Sequence, residues 1–301
     1  VTIRDVIRNN YDRHYKKLLI LPQTLFIIAL IILGYSFVVH GQFVDKGVSL
    51  SGGMTLTFPA PKGMTPDQLQ ASLTPKMQGA DVNVRELTEA SGTNFFIVET
   101  TSTDDRALLA NMKEAGISLA SGEYSLENIG SSLGQGFFQQ MIWAIAAAFI
   151  GMAAVVFITF RNVVPSLFVI LAAVSTLLET LAVCNLLGVR LSAGGVAAFL
   201  MLIGYSVDTD ILLTTRVLRR TDGTVFDRVV GAVATGLTMT ITSIAAAGVG
   251  LILTQSDVIR QIMLIITIGL CFDIINTWLQ NAPILRWYLE RKAAKAGGQH
   301  G

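Results

Sequence analysis

Charge is what this sequence has least of. Only 14% of its 301 residues are Asp, Glu, Lys or Arg, where an ordinary soluble domain carries roughly a quarter. With 52% apolar residues and a mean hydropathy of +0.58, that deficit points to a lipid bilayer as the solvent. The net charge of +1 gives no bulk attraction to nucleic acid, so no nucleic-acid partner is expected and charge matters only by location. Cysteine is nearly absent. Cys184 and Cys271 both lie in apolar runs, so the polar part of the chain has no disulfide framework. His14, His40 and His300 are far apart and no CxxC pair occurs, so no metal site is expected. Walker A, GxSxG and HExxH patterns are missing, and Ser51-Gly52-Gly53 and Gly134-Gln135-Gly136 are too short to cradle a phosphate. Neither catalysis nor a cofactor is expected.

What the chain does have is six apolar runs, at 18–39, 138–160, 164–187, 192–213, 229–254 and 258–282. Each reaches the length of about 20 residues that a membrane helix needs. The first exceeds a signal-peptide core and no small-residue cleavage pattern follows, so it is read as a retained helix. Residues 40–136 are polar and acidic. Strand patterns occur at 54–58, 82–87 and 95–100, helix patterns after Thr65-Pro66-Asp67 and over 104–115, with a turn at Ser91-Gly92 and a last strand within 117–128. The order β-α-β-β-α-β is the ferredoxin-like pattern. The predicted organisation is an N-terminal cytoplasmic segment at 1–17, helix one at 18–39, an inserted α+β domain at 40–136, helices two to six at 137–283, and a basic tail at 284–301.

Short-loop Lys and Arg set the orientation. One side carries Arg4, Arg8, Arg13, Lys16, Lys17, Arg161, Arg216, Arg219, Arg220, Arg228, Arg286, Arg291, Lys292 and Lys295; the other carries only Arg190 and Arg260 outside the inserted domain. Both termini are therefore expected in the cytoplasm and the inserted domain outside.

Four acids lie inside the apolar runs: Glu179, Asp208, Asp210 and Asp273. A carboxylate at a membrane helix centre costs at least about 2.5 kcal/mol, so each must face protein or water, or be protonated. Asp208 is the leading candidate for a proton or ion relay, about 6–8 Å from the middle of its run at about 1.5 Å per residue. Gly204 and Tyr205 share its face, and the small Gly204 would let another helix approach. Asp210 lies about 200° around the helix, so one of the pair faces a neighbouring subunit; Asp210 is assigned either a relay or an interface role. Glu179 and Asp273 read as packing residues or further relay members. Thr238, Thr242 and Ser243, with Thr235 and Thr240, form a polar ladder that either back-bonds to its own helix or lines a water path. Arg216 is read as a cytoplasmic anchor at the lipid headgroups.

Four stretches carry a resemblance: 132–140 (SLGQGFFQQ), 160–166 (FRNVVPS), 202–213 (LIGYSVDTDILL) and 277–281 (TWLQN). Together they are similar to the SecD/SecF family of protein-export membrane proteins, in its archaeal form. The resemblance implies half of a resistance-nodulation-division-type bundle with a ferredoxin-like external domain. It implies SecD as the partner supplying the other half, a SecY-centred channel nearby, an unfolded exported polypeptide as client and membrane lipid around the helices. It further implies coupling of the proton gradient to movement of the external domain, with the carboxylate region at Asp208-Thr209-Asp210. Bacterial members commonly read Asn-Asp-Thr there, and carry an Arg in helix five where this chain has Thr238. Two other functions stay open: a stabilising subunit of the translocation complex without ion coupling, and a small-molecule or lipid exporter of the wider superfamily.

Overall fold

The computed structural model describes residues 15–77, 79–88, 92–120, 122–219, 224–254 and 256–297, with side chains to residue 291. Arg4, Arg8, Arg13, His14, Glu89, Arg220, His300, Ser91 of the expected turn and the side chains of Lys292 and Lys295 lie outside them. Among the described residues, six helical stretches are long and apolar enough to cross a membrane: Tyr15–His40, Ser131–Phe160, Val163–Leu186, Ala193–Arg219, Val225–Leu253 and Asp257–Arg291.

In chain order the elements are α1 (Ile20–His40), a single turn α2 (Val48–Ser51), β1 (Gly53–Pro59), α3 (Pro66–Leu73), β2 (Val82–Thr88), β3 (Asn94–Thr100), α4 (Asp105–Glu114) and β4 (Ser125–Ile129). Then come α5 (Ser131–Phe160), α6 (Val163–Leu186), α7 (Ala193–Arg219), α8 (Val225–Leu253) and α9 (Asp257–Ile275). A π-helical segment, Asn276–Asn281, joins α9 to α10 (Ala282–Gly297).

The inserted domain forms because its strands alternate and its helices are capped. Met54, Leu56 and Phe58 point to one face of β1, while Thr55 and Thr57 point to the other. Thr65 caps α3 in a reciprocal capping box with Gln68, and Pro66 takes the first helical position. Asp104 caps α4 through the amide of Ala107 at 3.1 Å. All strand pairs are antiparallel, in the order β2-β3-β1-β4. Leu69 and Leu73 of α3 and Leu108 and Met112 of α4 bury one sheet face in a single core with Met54, Leu56, Phe58, Phe96 and Val98.

The other face of the sheet lies against the end of the helix bundle. That is why β3 is buried on both sides, Glu99 included. Arg85 bridges Glu99 at 2.8 Å and Asp257, the first residue of α9, at 3.0 Å. Arg190 pairs with Asp81 at 2.8 Å. Arg260 reaches the Thr88 carbonyl at 3.5 Å. The two cations that stood apart in the loop charge count, Arg190 and Arg260, therefore both hold the inserted domain.

Its root is pinned by close backbone approach. A Cβ on Gly134 would sit 2.4 Å from the Gly52 nitrogen, so the start of α5 and the end of α2 cross with no room for a side chain. This crossing also explains why helix two begins at Ser131 and not near 138: its first, polar turn packs on the domain's root.

In the bundle α9 packs against α6, α7 and α8, α5 against α6 and α7, and α1 against α6. Gly269 admits the Leu202 side chain, which would lie 2.3 Å from an added Cβ. Gly194, Gly195 and Gly236 make comparably tight contacts, whereas nothing lies within 4 Å of an added Cβ at Gly151, Gly188 or Gly248. At the end of the bundle far from the inserted domain, the Tyr15 hydroxyl donates to Glu290 at 2.6 Å, tying the start of the chain to its last helix.

Phe96 is 1% exposed in the domain core. Phe96→Ala should cost about 3–5 kcal/mol. The expected outcome in the full chain in detergent is proteolytic cleavage within 53–129 while the helical circular dichroism is retained.

Candidate functional site

The four intramembrane acids separate into one on the surface and three inside. Asp208 is exposed, on the same face of α7 as Gly204 and Tyr205, the latter 42% exposed. With Met201 they form a stripe at helical spacing, and nothing in this chain lies within 4 Å of an added Cβ at Gly204. Because α7 runs on to Arg219, Asp208 lies two residues past its middle, about 3 Å along the axis, nearer the centre than the run 192–213 suggested.

Asp210 is fully buried, so the interface role considered for it is not available at the surface of this chain. Asn281 donates to its Oδ1 at 2.8 Å. Asp273, 1% exposed, is faced by the hydroxyls of Ser206, Thr209 and Thr277. Thr277, one helical turn after Asp273, is fully buried near both carboxyls. Glu179, also 1% exposed, accepts from Asn276 Nδ2 at 2.7 Å, and the same amide donates to Thr176 at 3.0 Å. Three buried carboxyls thus converge on the last membrane helix where it turns π-helical.

The π-helical segment is the local reason for this convergence. A π-turn adds a residue to the helical repeat and is a frequent mark of functional sites. Here Asn276, Thr277, Gln280 and Asn281 are all buried, and the amides of Asn276 and Asn281 donate to carboxyls. Trp278 fills the space opposite Gly236 of α8, where a Cβ would meet the indole at 2.3 Å, and so holds the segment in place.

The polar ladder of α8 is back-bonded. Thr238 donates to Ala234 O at 2.8 Å, Thr240 to Gly236 O at 3.0 Å and Thr242 to Thr238 O at 2.9 Å. Thr238 and Thr242 are exposed and Ser243 is half-buried. Arg216 is engaged by protein: half-buried between α7 and α8, it donates to the Gly231 carbonyl. Sequence reasoning passed over Asn276 and gave no site role of their own to Thr277, Gln280, Asn281, Ser206 and Thr209, which it met only within the stretches that carry the resemblance. The signal available was polar spacing, since Asp273, Thr277 and Asn281 recur every fourth residue in an otherwise apolar run.

The family described as "Protein export membrane protein SecD/SecF, C-terminal" matches residues 111–291. The chain belongs to the SecD/SecF family. It is 37% identical to the protein-export membrane protein SecF of Pyrococcus furiosus, over 97% of this chain and 97% of that protein. It is 37% identical to the SecF of Methanothermobacter thermautotrophicus, over 92% and 94%, and 34% identical to that of Haloferax volcanii, over 95% and 96%. The fold is shared with the crystal structure of SecDF, a translocon-associated membrane protein of Thermus thermophilus, at a TM-score of 0.73 and 17% identity. That match covers 93% of this chain but 38% of the SecDF chain. This SecD/SecF family member is therefore an archaeal-type membrane protein of protein export, and its bundle corresponds to a part of the SecDF one.

Asn281→Leu would strip Asp210 of its amide donor. A buried group left without its partner costs about 1–3 kcal/mol. The variant should unfold earlier by that amount in detergent, whereas Asp208→Asn, on the surface, should stay within about 0.5 kcal/mol of the unmodified chain. Thermal unfolding of the two variants side by side checks this.

Proposed function

We propose that the chain promotes protein export as half of a two-chain unit, with SecD docked on the Asp208 face of α7, and that proton exchange at this seam drives the external domain. The observation that carries the reading is the exposed stripe of Gly204, Tyr205 and Asp208 near the middle of a membrane-crossing helix. A carboxylate is not left facing lipid, and a glycine beside it accommodates a close helix. The partial coverage of the SecDF chain fits a bundle that is completed by a second set of helices.

In this reading both termini are cytoplasmic and the domain between α1 and α5 stands outside, where it meets polypeptide leaving a SecY-centred channel. The Arg and Lys bias of the short loops supports that orientation. A proton crossing about 100 mV delivers about 2.3 kcal/mol. That biases a two-state domain about fifty-fold, since 1.4 kcal/mol is tenfold.

In cells, Asp208→Asn should lower secretion and abolish its stimulation by the proton gradient. Full retention of both would overturn the coupling. Loss of the SecD complex on purification, with gradient stimulation unchanged per recovered complex, would instead assign the chain a stabilising role.

A further inference from the structure

On the inserted-domain side of the bundle, α1 and α5 both pack on α6 but form no packed interface with each other. The trough between them is a cavity of about 480 Å³, floored by Leu177 and Leu181 of α6 and Phe199 of α7. Its wall on α5 is Phe138, Ile145 and Phe149, which share one helix face and span about 16 Å at the helical rise. One leaflet of the hydrocarbon core is about 15 Å deep, half of about 30 Å. The trough begins where α1 ends and α5 starts, so it runs from the membrane surface to about the middle. Its polarity is graded the same way. Among the described residues, only Gln42 and Lys46, both at the surface end, bring polar side chains to the lining. Residues 41–46 close that end. Gly41 turns the chain in the left-handed region at φ 71°, Asn185 Nδ2 donates to the Phe43 carbonyl at 2.6 Å, and the Leu191 amide donates to the Asp45 carbonyl at 2.7 Å. The Lys46 ammonium stands 3.8 Å from the centre of the Phe138 ring. It has no ion pair among the described residues; the neighbouring Asp45 side chain accepts from Gln42 Nε2 at 3.1 Å instead.

We infer that this trough binds one phospholipid with an anionic headgroup, its hydrocarbon chain laid along α5 and its phosphate against Lys46. The shape selects the chain. A volume of about 480 Å³ spread over about 16 Å leaves a width of about 6 Å, whereas a helix with its side chains is about 10 Å across. An extended peptide would fit that width, but its backbone N–H and C=O groups would find no partners on this apolar lining. A hydrocarbon chain has no such groups. The charge selects the headgroup. Lys46 stands at the depth where the phosphate of a lipid lies when its chain fills the leaflet, and basic side chains between membrane helices hold anionic headgroups in this way. Contact with the Phe138 ring positions the ammonium from one side and leaves N–H groups for a phosphate oxygen. The site is separate from the seam proposed above. Asp208 lies about 180° around α7 from Phe199, so a partner on the Asp208 face leaves the trough open to lipid.

The test is native mass spectrometry of the full-length chain in detergent, with thermal unfolding alongside, as dioleoylphosphatidylglycerol or dioleoylphosphatidylcholine is titrated in. A single tightly bound phosphatidylglycerol per chain is expected, with a saturable rise in the unfolding midpoint. Its affinity should exceed that of phosphatidylcholine about fivefold, the effect of one cation at the membrane surface. Glycerol 3-phosphate, which has the charge without the chain, should neither bind nor stabilise. Lys46→Gln should erase the preference for phosphatidylglycerol and keep the weaker binding of both lipids. Ile145→Trp, which fills the trough from α5, should abolish the binding of both. Lys46→Gln, at the surface end, keeps the test readable if Ile145→Trp does not fold. Asp208→Asn should bind phosphatidylglycerol as the unmodified chain does, which separates this inference from the proposed coupling at the seam. Equal affinity for the two lipids, stabilisation by glycerol 3-phosphate alone, an unchanged preference in Lys46→Gln, unchanged binding in Ile145→Trp, or displacement of the lipid by an apolar peptide would each overturn the site.

Discussion

A carboxyl inside a bilayer must be neutralised, hydrogen-bonded or shielded from lipid, and the bundle is arranged around that demand. Four acids sit well inside the membrane-crossing helices, away from their ends, and no Lys or Arg is placed in mid-membrane to pair with them. Glu179 and Asp210 accept from amides of the π-helical segment, Asp273 is buried beside them, and the fourth is left on the surface of the chain. The requirement reaches beyond the acids themselves. It explains why the last membrane helix changes its hydrogen-bond register at Asn276, where a regular α-helix would turn part of this polar set away from the carboxyls. It also explains why Gly236 stands where the Trp278 indole needs room.

Much of this was legible in the residues, and the part that was not has a definite cause. Hydrophobic run length located all six helices, and the Thr65-Pro66 helix start and the helix pattern over 104–115 located α3 and α4, because those signals are local. The ends of α5 and α7 lay six or more residues beyond the apolar runs, since polar turns continue a helix wherever packing holds them. Helical geometry put Asp208 with Gly204 and Tyr205 and set Asp210 apart. It could not say which side faced the chain's own core, because that depends on α6 and α9, elements distant in sequence. The π-helical segment was invisible to a 3.6-residue period, so Asn276 passed as part of an apolar run, and Thr277 and Asn281 entered only within the 277–281 stretch, with no site role.

The helix α9 joins the two regions of interest. Asp257 at its first turn holds Arg85 of the inserted domain, and Asp273 near its last turn is one of the three buried carboxyls. Sixteen residues separate them, about 24 Å at the helical rise. One continuous helix with no intervening loop therefore connects the two places.

The energies at the two ends can be compared. The pairs that hold the sheet to the bundle, Arg85–Asp257 and Arg190–Asp81, are partly exposed, with Arg85 at 37% and Asp81 at 61%. Pairs of that kind contribute about 0–1 kcal/mol each and weaken with salt. A proton falling through about 100 mV is worth about 2.3 kcal/mol, which exceeds the two pairs together. The root of the domain is of another order, because the Gly52–Gly134 crossing is backbone against backbone and cannot open without unpacking α5. The domain is therefore fixed firmly at its base and more lightly by ion pairs at its far edge. Tilting about the base is the displacement that costs least.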